Sequence, residues 1–164
     1  DELTKLLTKN AIERKIKRYM ELTPSKPAMM LVIDLDNFKH INDTFGHAYG
    51  DAVLRLMGEC IRSNFREDDY KGRFGGDEFV VFLPGIDDKQ QVVTYVNNLV
   101  EMMKAHVRTP ESANPVHGSI GIALYPKHAS TYEELFKKAD EALYASKERG
   151  KDRYTFYISK EVLK

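Results

Sequence analysis

The chain alternates between segments with apolar residues at helical spacing and short, continuous apolar runs. From about Lys9 to Glu21, Ile12, Ile16 and Tyr19/Met20 recur at three and four residues with basic positions between them, which predicts an amphipathic helix. Ala28-Met29-Met30-Leu31-Val32-Ile33 is apolar throughout, too short for a typical helix and preceded by proline, so it predicts a buried strand that closes on Asp34-Leu35-Asp36. From about Gly50 to Phe65, the series Val53, Leu54, Met57, Cys60, Ile61, Phe65 predicts a core-facing helix with Asp51 in its first turn. A hairpin follows from about Asp69 to Leu83, turning at Gly75-Gly76, where glycine reaches the positive φ that tight turns demand. Asp87 or Asp88 caps the next helix, with Val92, Val93, Val96, Leu99, Val100 and Met103 as its stripe. Val116 to Leu124 reads as a strand. Ser130-Thr131-Tyr132-Glu133 has the form of a capping box opening a helix through Leu135, Ala139, Ala142, Leu143 and Ser146 that ends at Gly150. Arg153 to Ile158 predicts a last strand, and the stretches 23–27 and 109–115 read as loops.

A hairpin flanked by helix-containing connections predicts an α/β (α+β) fold, a mixed or antiparallel five-stranded sheet with helices on its faces. No Gly-x-Gly-x-x-Gly follows the first strand, which disfavours a dinucleotide-binding fold.

Composition narrows the function classes. With 164 residues and 42% hydrophobic content, a single domain over residues 1–164 is expected. The 25 basic and 25 acidic residues cancel, leaving no electrostatic footprint for nucleic acid or an anionic membrane. The lone Cys60 cannot form an internal disulfide and reads as core in a reducing compartment. The sequence shows no membrane-length apolar run and no signal peptide, and it starts at Asp1 without an initiator methionine, so a domain excised from a longer protein is expected.

The chemistry-bearing residues are acids at strand ends. Asp34 and Asp36 close the first strand, while Asp77 and Glu78 follow the glycine pair at the hairpin tip, where strand alternation would send them to opposite faces. Acids from two neighbouring strands suit a hard, oxygen-preferring cation such as Mg²⁺ together with a nucleotide. One cysteine and no helix-borne histidine pair argue against zinc. The same residues also admit a plainer reading: solvated hairpin acids, and Asp36 or Asn37 capping a short helix. Lys147 and Lys151, one turn apart at a helix end, and Lys39 can reach phosphate, or the first two can simply compensate the helix dipole. His47 is read at a helix start and the other histidines as surface or loop residues.

Gly75-Gly76-Asp77-Glu78-Phe79, with Asp34-Leu35-Asp36-Asn37-Phe38-Lys39-His40-Ile41-Asn42-Asp43-Thr44-Phe45-Gly46-His47 running on to Gly50-Asp51, resembles the GGDEF domains of bacterial diguanylate cyclases. Ser119-Ile120-Gly121-Ile122-Ala123 and Ala142-Leu143-Tyr144 with Lys147 and Gly150 extend the resemblance over Asp1 to about Tyr157. The resemblance implies a nucleotide-cyclase, polymerase-palm-like fold and the condensation of two GTP into cyclic di-GMP with release of two pyrophosphates. It implies Mg²⁺, with Mn²⁺ as a substitute, on Asp34, the Leu35 carbonyl and Asp77, with Glu78 as a nearby second acid. Asn42 and Asp51 match positions that read the guanine edge, Lys39, Lys147 and Lys151 match phosphate contacts, and the Asn37-Phe38 turn supplies backbone amides. One domain holds one GTP, so the resemblance implies an antiparallel homodimer. Arg66 and Asp69 match an Arg-x-x-Asp inhibitory site for the product. A cytoplasmic bacterial setting follows, in a parent signalling protein whose own anchorage is a separate matter. Two other readings stay open: a sensor module that binds GTP or cyclic di-GMP without turnover, and an enzyme making a mixed purine dinucleotide. The chain departs from the family pattern at its opening, where Lys5 stands for glycine and the expected asparagine and arginine are absent, and at Ser146, where alanine is usual.

Overall fold

A computed structural model of the chain describes residues 1–107 and 115–159; apart from Pro115, the loop read over 109–115 lies outside the described residues. In chain order the elements are β1 (Leu7–Thr8), α1 (Lys9–Leu22), β2 (Ala28–Leu35), α2 (Phe38–Phe45), α3 (His47–Asn64), β3 (Tyr70–Gly75), β4 (Glu78–Pro84), α4 (Lys89–His106), β5 (Gly118–Tyr125), α5 (Tyr132–Glu148) and β6 (Arg153–Phe156).

The strands form one six-stranded sheet in the order β1-β3-β4-β2-β5-β6 among the described residues. β2 lies between β4 and β5 and pairs antiparallel with both, and β3 pairs antiparallel with β4. The two edge strands, β1 on β3 and β6 on β5, are parallel additions. The sheet is therefore mixed, as the hairpin and helix order imply, but it has six strands rather than five. The extra strand is Leu7–Thr8, and two residues are too few to carry any periodicity.

The central position of β2 explains its composition. Met29, Leu31, Ile33 and Leu35 pack with Val53, Leu54, Met57 and Ile61 of α3 and Val92, Val96 and Leu99 of α4. Met30 and Val32 pack with Ile12 and Ile16 of α1 and Leu135, Ala139 and Leu143 of α5. Helices cover both faces of the strand, so a run apolar on alternate and intervening positions is what the fold requires. Each such side chain, once fully buried, contributes about 1.5–3 kcal/mol. Gly121 of β5 lets α5 come this close: a Cβ there would lie 2.1 Å from the Ala139 carbonyl oxygen.

Several element ends differ from the sequence reading by a turn or less. The helix expected from Gly50 begins at His47, so Asp51 sits beyond its first turn. The capping box is displaced by one residue: Thr131, not Ser130, accepts a hydrogen bond from the Glu134 amide at 3.2 Å, since Thr131-x-x-Glu134 satisfies the same pattern. Asp88 caps α4 through Gln90. Cys60 is buried, as expected. His128 is buried rather than at the surface, and its Nδ1 accepts from the Leu124 amide at 3.0 Å. No described helix is long and apolar enough to cross a membrane.

Candidate active site

The acids meet at one end of β2. In the β2–β4 ladder Asp34 stands directly opposite Glu78, and on the other side it stands opposite Ser119 of β5. Asp77 lies between the hairpin strands, in the turn, so strand alternation does not govern its side chain. The expectation that the two acids point to opposite faces is therefore corrected: Glu78 shares the face of Asp34, and the Asp77 carboxyl also comes within hydrogen-bonding reach of Asp34. The turn is shaped by Gly75 (φ +130°) and Gly76 (φ +53°), braced by Arg73 Nε donating to the Gly76 carbonyl at 3.1 Å, and tied to β2 by the Leu35 amide donating to the Asp77 carbonyl at 3.2 Å.

Concentrated negative charge shows in the protonation of these groups. Burial, then the approach of Asp34, pushes the Asp77 carboxyl up to about 7. Burial raises Glu78, with Asp140 and Asp34 adding to it. Lys147, in the last turn of α5, donates to Asp34 Oδ2. Burial opposes the charge of its ammonium, but Asp34, Asp77 and Glu78 outweigh that and raise it.

Asp34 Oδ1 is buried and has no hydrogen-bond partner among the described residues. A buried carboxylate oxygen left unpaired is costly. The same residue has the Asp77 carboxyl and Glu78 close by, and a crowd of acids around an unpaired oxygen is an environment that a hard cation with oxygen ligands relieves. Among the described residues no group of three or more His, Cys, Asp or Glu side chains forms a ready-made metal cage. The donor set fits an ion such as Mg²⁺, which takes one or two carboxylates and completes its shell with water and phosphate oxygens.

Asp36 does not join the cluster, contrary to the grouping drawn from the sequence, nor does it cap α2. Its carboxylate accepts from Ser119 Oγ at 2.6 Å and from the Asp152 amide at 2.9 Å. Asn37 at the start of α2 is left-handed (φ 58°) and makes no side-chain cap. Its Oδ1 accepts from Lys151 Nζ at 3.0 Å. The uncapped start of α2, carrying Phe38 and the exposed Lys39, thus lies beside Lys151, a local concentration of positive potential suited to phosphate. Further along α2, Asn42 packs over Gly50 of α3, next to the exposed Asp51, so the amide and carboxylate expected at a guanine edge are neighbours.

The family profile described as "Diguanylate cyclase, GGDEF domain" matches residues 1–153. The chain belongs to the GGDEF family. Diguanylate cyclase DosC from Escherichia coli is 38% identical over 157 residues, covering 93% of this chain and 34% of DosC. This chain thus spans about a third of that relative's length. Among solved structures, the GGDEF domain of TpbB (YfiN) from Pseudomonas aeruginosa gives a TM-score of 0.88 at 34% identity, covering 96% of this chain and 94% of that one. The GGDEF domain of DgcB from Caulobacter crescentus, in complex with c-di-GMP, gives 0.86 at 27% identity, covering 97% and 93%.

Against the GGDEF pattern, the two departures have local explanations. Lys5, standing for glycine, adopts the left-handed φ of +63° itself, and the opening turn is closed by its amide donating to the Asp1 carbonyl at 2.8 Å. Ser146, standing for alanine, is fully buried yet satisfied: its Oγ donates to the Ile120 carbonyl at 2.8 Å and lies 2.7 Å from Thr155 Oγ1. Arg66 and Asp69 form a closed pair just ahead of β3, the strand that leads into the Gly75-Gly76 turn. Arg66 Nη2 and Nε donate to Asp69 Oδ1 at 2.8 and 3.1 Å, and the Arg66 amide donates to Oδ2 at 2.8 Å. The Asp69 side chain is fully buried, whereas that of Arg66 is 42% exposed.

Sequence reasoning missed Asp140 as a neighbour of Glu78, and Ser119 and Asp152 as partners of Asp36. Only the GGDEF-pattern segment Ser119–Ala123 marked this part of β5 in advance.

Proposed function

We propose that this domain is a diguanylate cyclase that condenses two GTP molecules into cyclic di-GMP and two pyrophosphates, one nucleotide held by each of two domains arranged antiparallel. The observation that carries this reading is the buried Asp34 Oδ1, without a partner among the described residues, on a carboxylate that Asp77, Glu78 and Lys147 all approach in a GGDEF domain.

Asp34, Asp77 and the Leu35 carbonyl would hold Mg²⁺, or Mn²⁺ in its place. Bound there, the ion supplies charge neutralisation at the α-phosphate and lowers the pKa of the attacking 3′-hydroxyl. The chain's own residues do the rest. Asn42 and Asp51 orient the guanine, and the α2 amides with Lys39 and Lys151 bind the phosphates. Lys147, poised on Asp34, turns its charge toward the same phosphates. Glu78, raised by burial, lies on the site face and can hold or receive a proton. Because each domain presents one half-site, orientation of two bound nucleotides is the principal source of rate. The supply of GTP sets this chemistry in the cytoplasm. Arg66, held by buried Asp69, offers a fixed guanidinium edge as the product-feedback contact.

A turnover assay with GTP and Mg²⁺ across a range of domain concentrations tests the reading. Pyrophosphate release and cyclic di-GMP formation are expected, with a rate per domain that rises with concentration. GTP binding without any cyclic dinucleotide, even when two domains are tethered, would refute it and leave a sensor module.

A further inference from the structure

The α5–β6 connection is held in a conformation that its own sequence does not favour. Gly150, Lys151 and Asp152 have φ of +114°, +65° and +49°, so two consecutive non-glycine residues are left-handed. Such residues persist there only where the surroundings enforce it. Besides Arg153 Nε, which donates to the Lys151 carbonyl at 3.0 Å, three contacts hold the backbone of these two residues and the Asp152 side chain. The Lys151 amide donates to the Ser146 carbonyl at 3.0 Å, His117 Nδ1 lies 3.2 Å from Asp152 Oδ1, and the Asp152 amide donates to Asp36 Oδ2 at 2.9 Å.

Of these partners only Asp36 belongs to the strand end that carries Asp34. It is 9% exposed, and its other carboxylate oxygen is fixed by Ser119 Oγ at 2.6 Å. A short, buried, charge-assisted pair of hydrogen bonds is a rigid mount. What it mounts is the segment whose Lys151 Nζ reaches Asn37 Oδ1 at the start of α2.

We propose that Asp36 is a positioning residue for nucleotide binding: by accepting the Asp152 amide it keeps the left-handed loop in place and so holds Lys151 over the α2 end of the site, where the triphosphate lies. This rests on the reading that the site binds GTP. Without the tie, the loop relaxes toward right-handed φ and carries Lys151 away from Asn37.

The test is a double-mutant cycle on binding, read by calorimetry with guanosine 5′-(α,β-methylene)triphosphate, which resists cleavage at that bridge, and in parallel with guanosine. Asp36→Ala and Lys151→Ala are each expected to weaken the triphosphate analogue by about tenfold. The double variant should lose no more than either single one, and guanosine affinity should stay unchanged throughout. Losses that multiply to about a hundredfold, or an equal loss of guanosine affinity in Asp36→Ala, would overturn the proposal. Should circular dichroism show Asp36→Ala unfolded, Ser119→Ala removes one donor to Asp36 and enters the same cycle, with a smaller loss that again vanishes in the Lys151→Ala background. Wild-type domain that binds no analogue overturns the GTP reading and this proposal with it; wild-type binding with independent losses overturns this proposal alone.

Discussion

Gly50 is the seat of Asn42: a Cβ on Gly50 would lie 1.8 Å from Asn42 Oδ1 and 3.3 Å from the Phe38 ring. Glycine inside a helix is about 1 kcal/mol less favourable than alanine. Its presence in α3 is explained by the amide that rests on it. In Gly50→Ala the flexible Asn42 swings aside, the propensity gain offsets the crowding, and stability in urea changes by less than about 1 kcal/mol. Preference for GTP over ATP in competition binding should fall about tenfold or more, because the base loses its amide contact. Unchanged preference would remove Asn42 from guanine recognition.

Burial of Asp77, with Asp34 beside it, makes stability depend on pH in a defined direction. Asp77 ionises at about 7 in the folded domain against 3.8 as its ordinary value. The folded state therefore binds more protons than the unfolded one across that interval. Stability attributable to this group is fully present below pH 3.8 and is lost as pH rises through 7. Urea melts in EDTA should show the loss for wild type, and Asp77→Asn should flatten it while abolishing turnover. An unaltered pH profile in that variant would mean that Asp77 is not the group responsible.

His128 acts with the opposite sign. Burial, helped by Lys127, Lys89 and Lys138, lowers its imidazole to about 4 from 6.5, and Nδ1 is already committed as an acceptor from Leu124. The unfolded chain takes up the proton first. Stability is intact above pH 6.5 and declines as pH falls toward 4. His128→Asn keeps an acceptor for Leu124 but cannot titrate, so thermal melts of that variant should lack the acid limb. Retention of the limb would assign it to another group.

Lys5→Gly should stabilise the domain by about 0.5–1 kcal/mol, since glycine takes a φ of +63° without the steric penalty lysine bears. Chemical denaturation reads the gain directly. A loss instead would mean that the lysine side chain contributes packing beyond its backbone.

Arg66→Ala should relieve inhibition by cyclic di-GMP without lowering the initial rate measured at low product. The guanidinium also donates to the Pro84 carbonyl at 3.1 Å, so some stability is lost, and the informative quantity is the inhibition constant rather than the yield of folded protein. An unchanged constant would leave Arg66 and Asp69 as a purely structural pair.

Much of the fold was legible because its central strands are apolar on both faces: Ala28–Ile33 and Phe79–Leu83 could only be buried. The convergence of Asp34, Asp77 and Glu78 was legible for the same reason, since acids that end such strands must lie at the rim of the core. What stayed hidden depends on distant partners. Nothing near Asp36 in the chain announces that it bonds residues 83 and 116 positions away, so it could not be separated from the cluster it abuts. His128 does lie in the β5–α5 loop, but nothing in the sequence shows that it is buried there, with Tyr157 edgewise to it at 5.0 Å. Alternation misplaced Asp77 because the rule applies to strands and this residue turns a corner.

The strands at the two margins of the sheet bear on how such a domain meets another protein. Among the described residues β1 has two residues and β6 has four, so each edge strand offers little extended backbone. A neighbour cannot gain much by adding a strand of its own. Recognition is thereby shifted to the loops and helix ends around the acids, and a copy of the domain inserted among other modules carries small risk of zipping to them edge to edge.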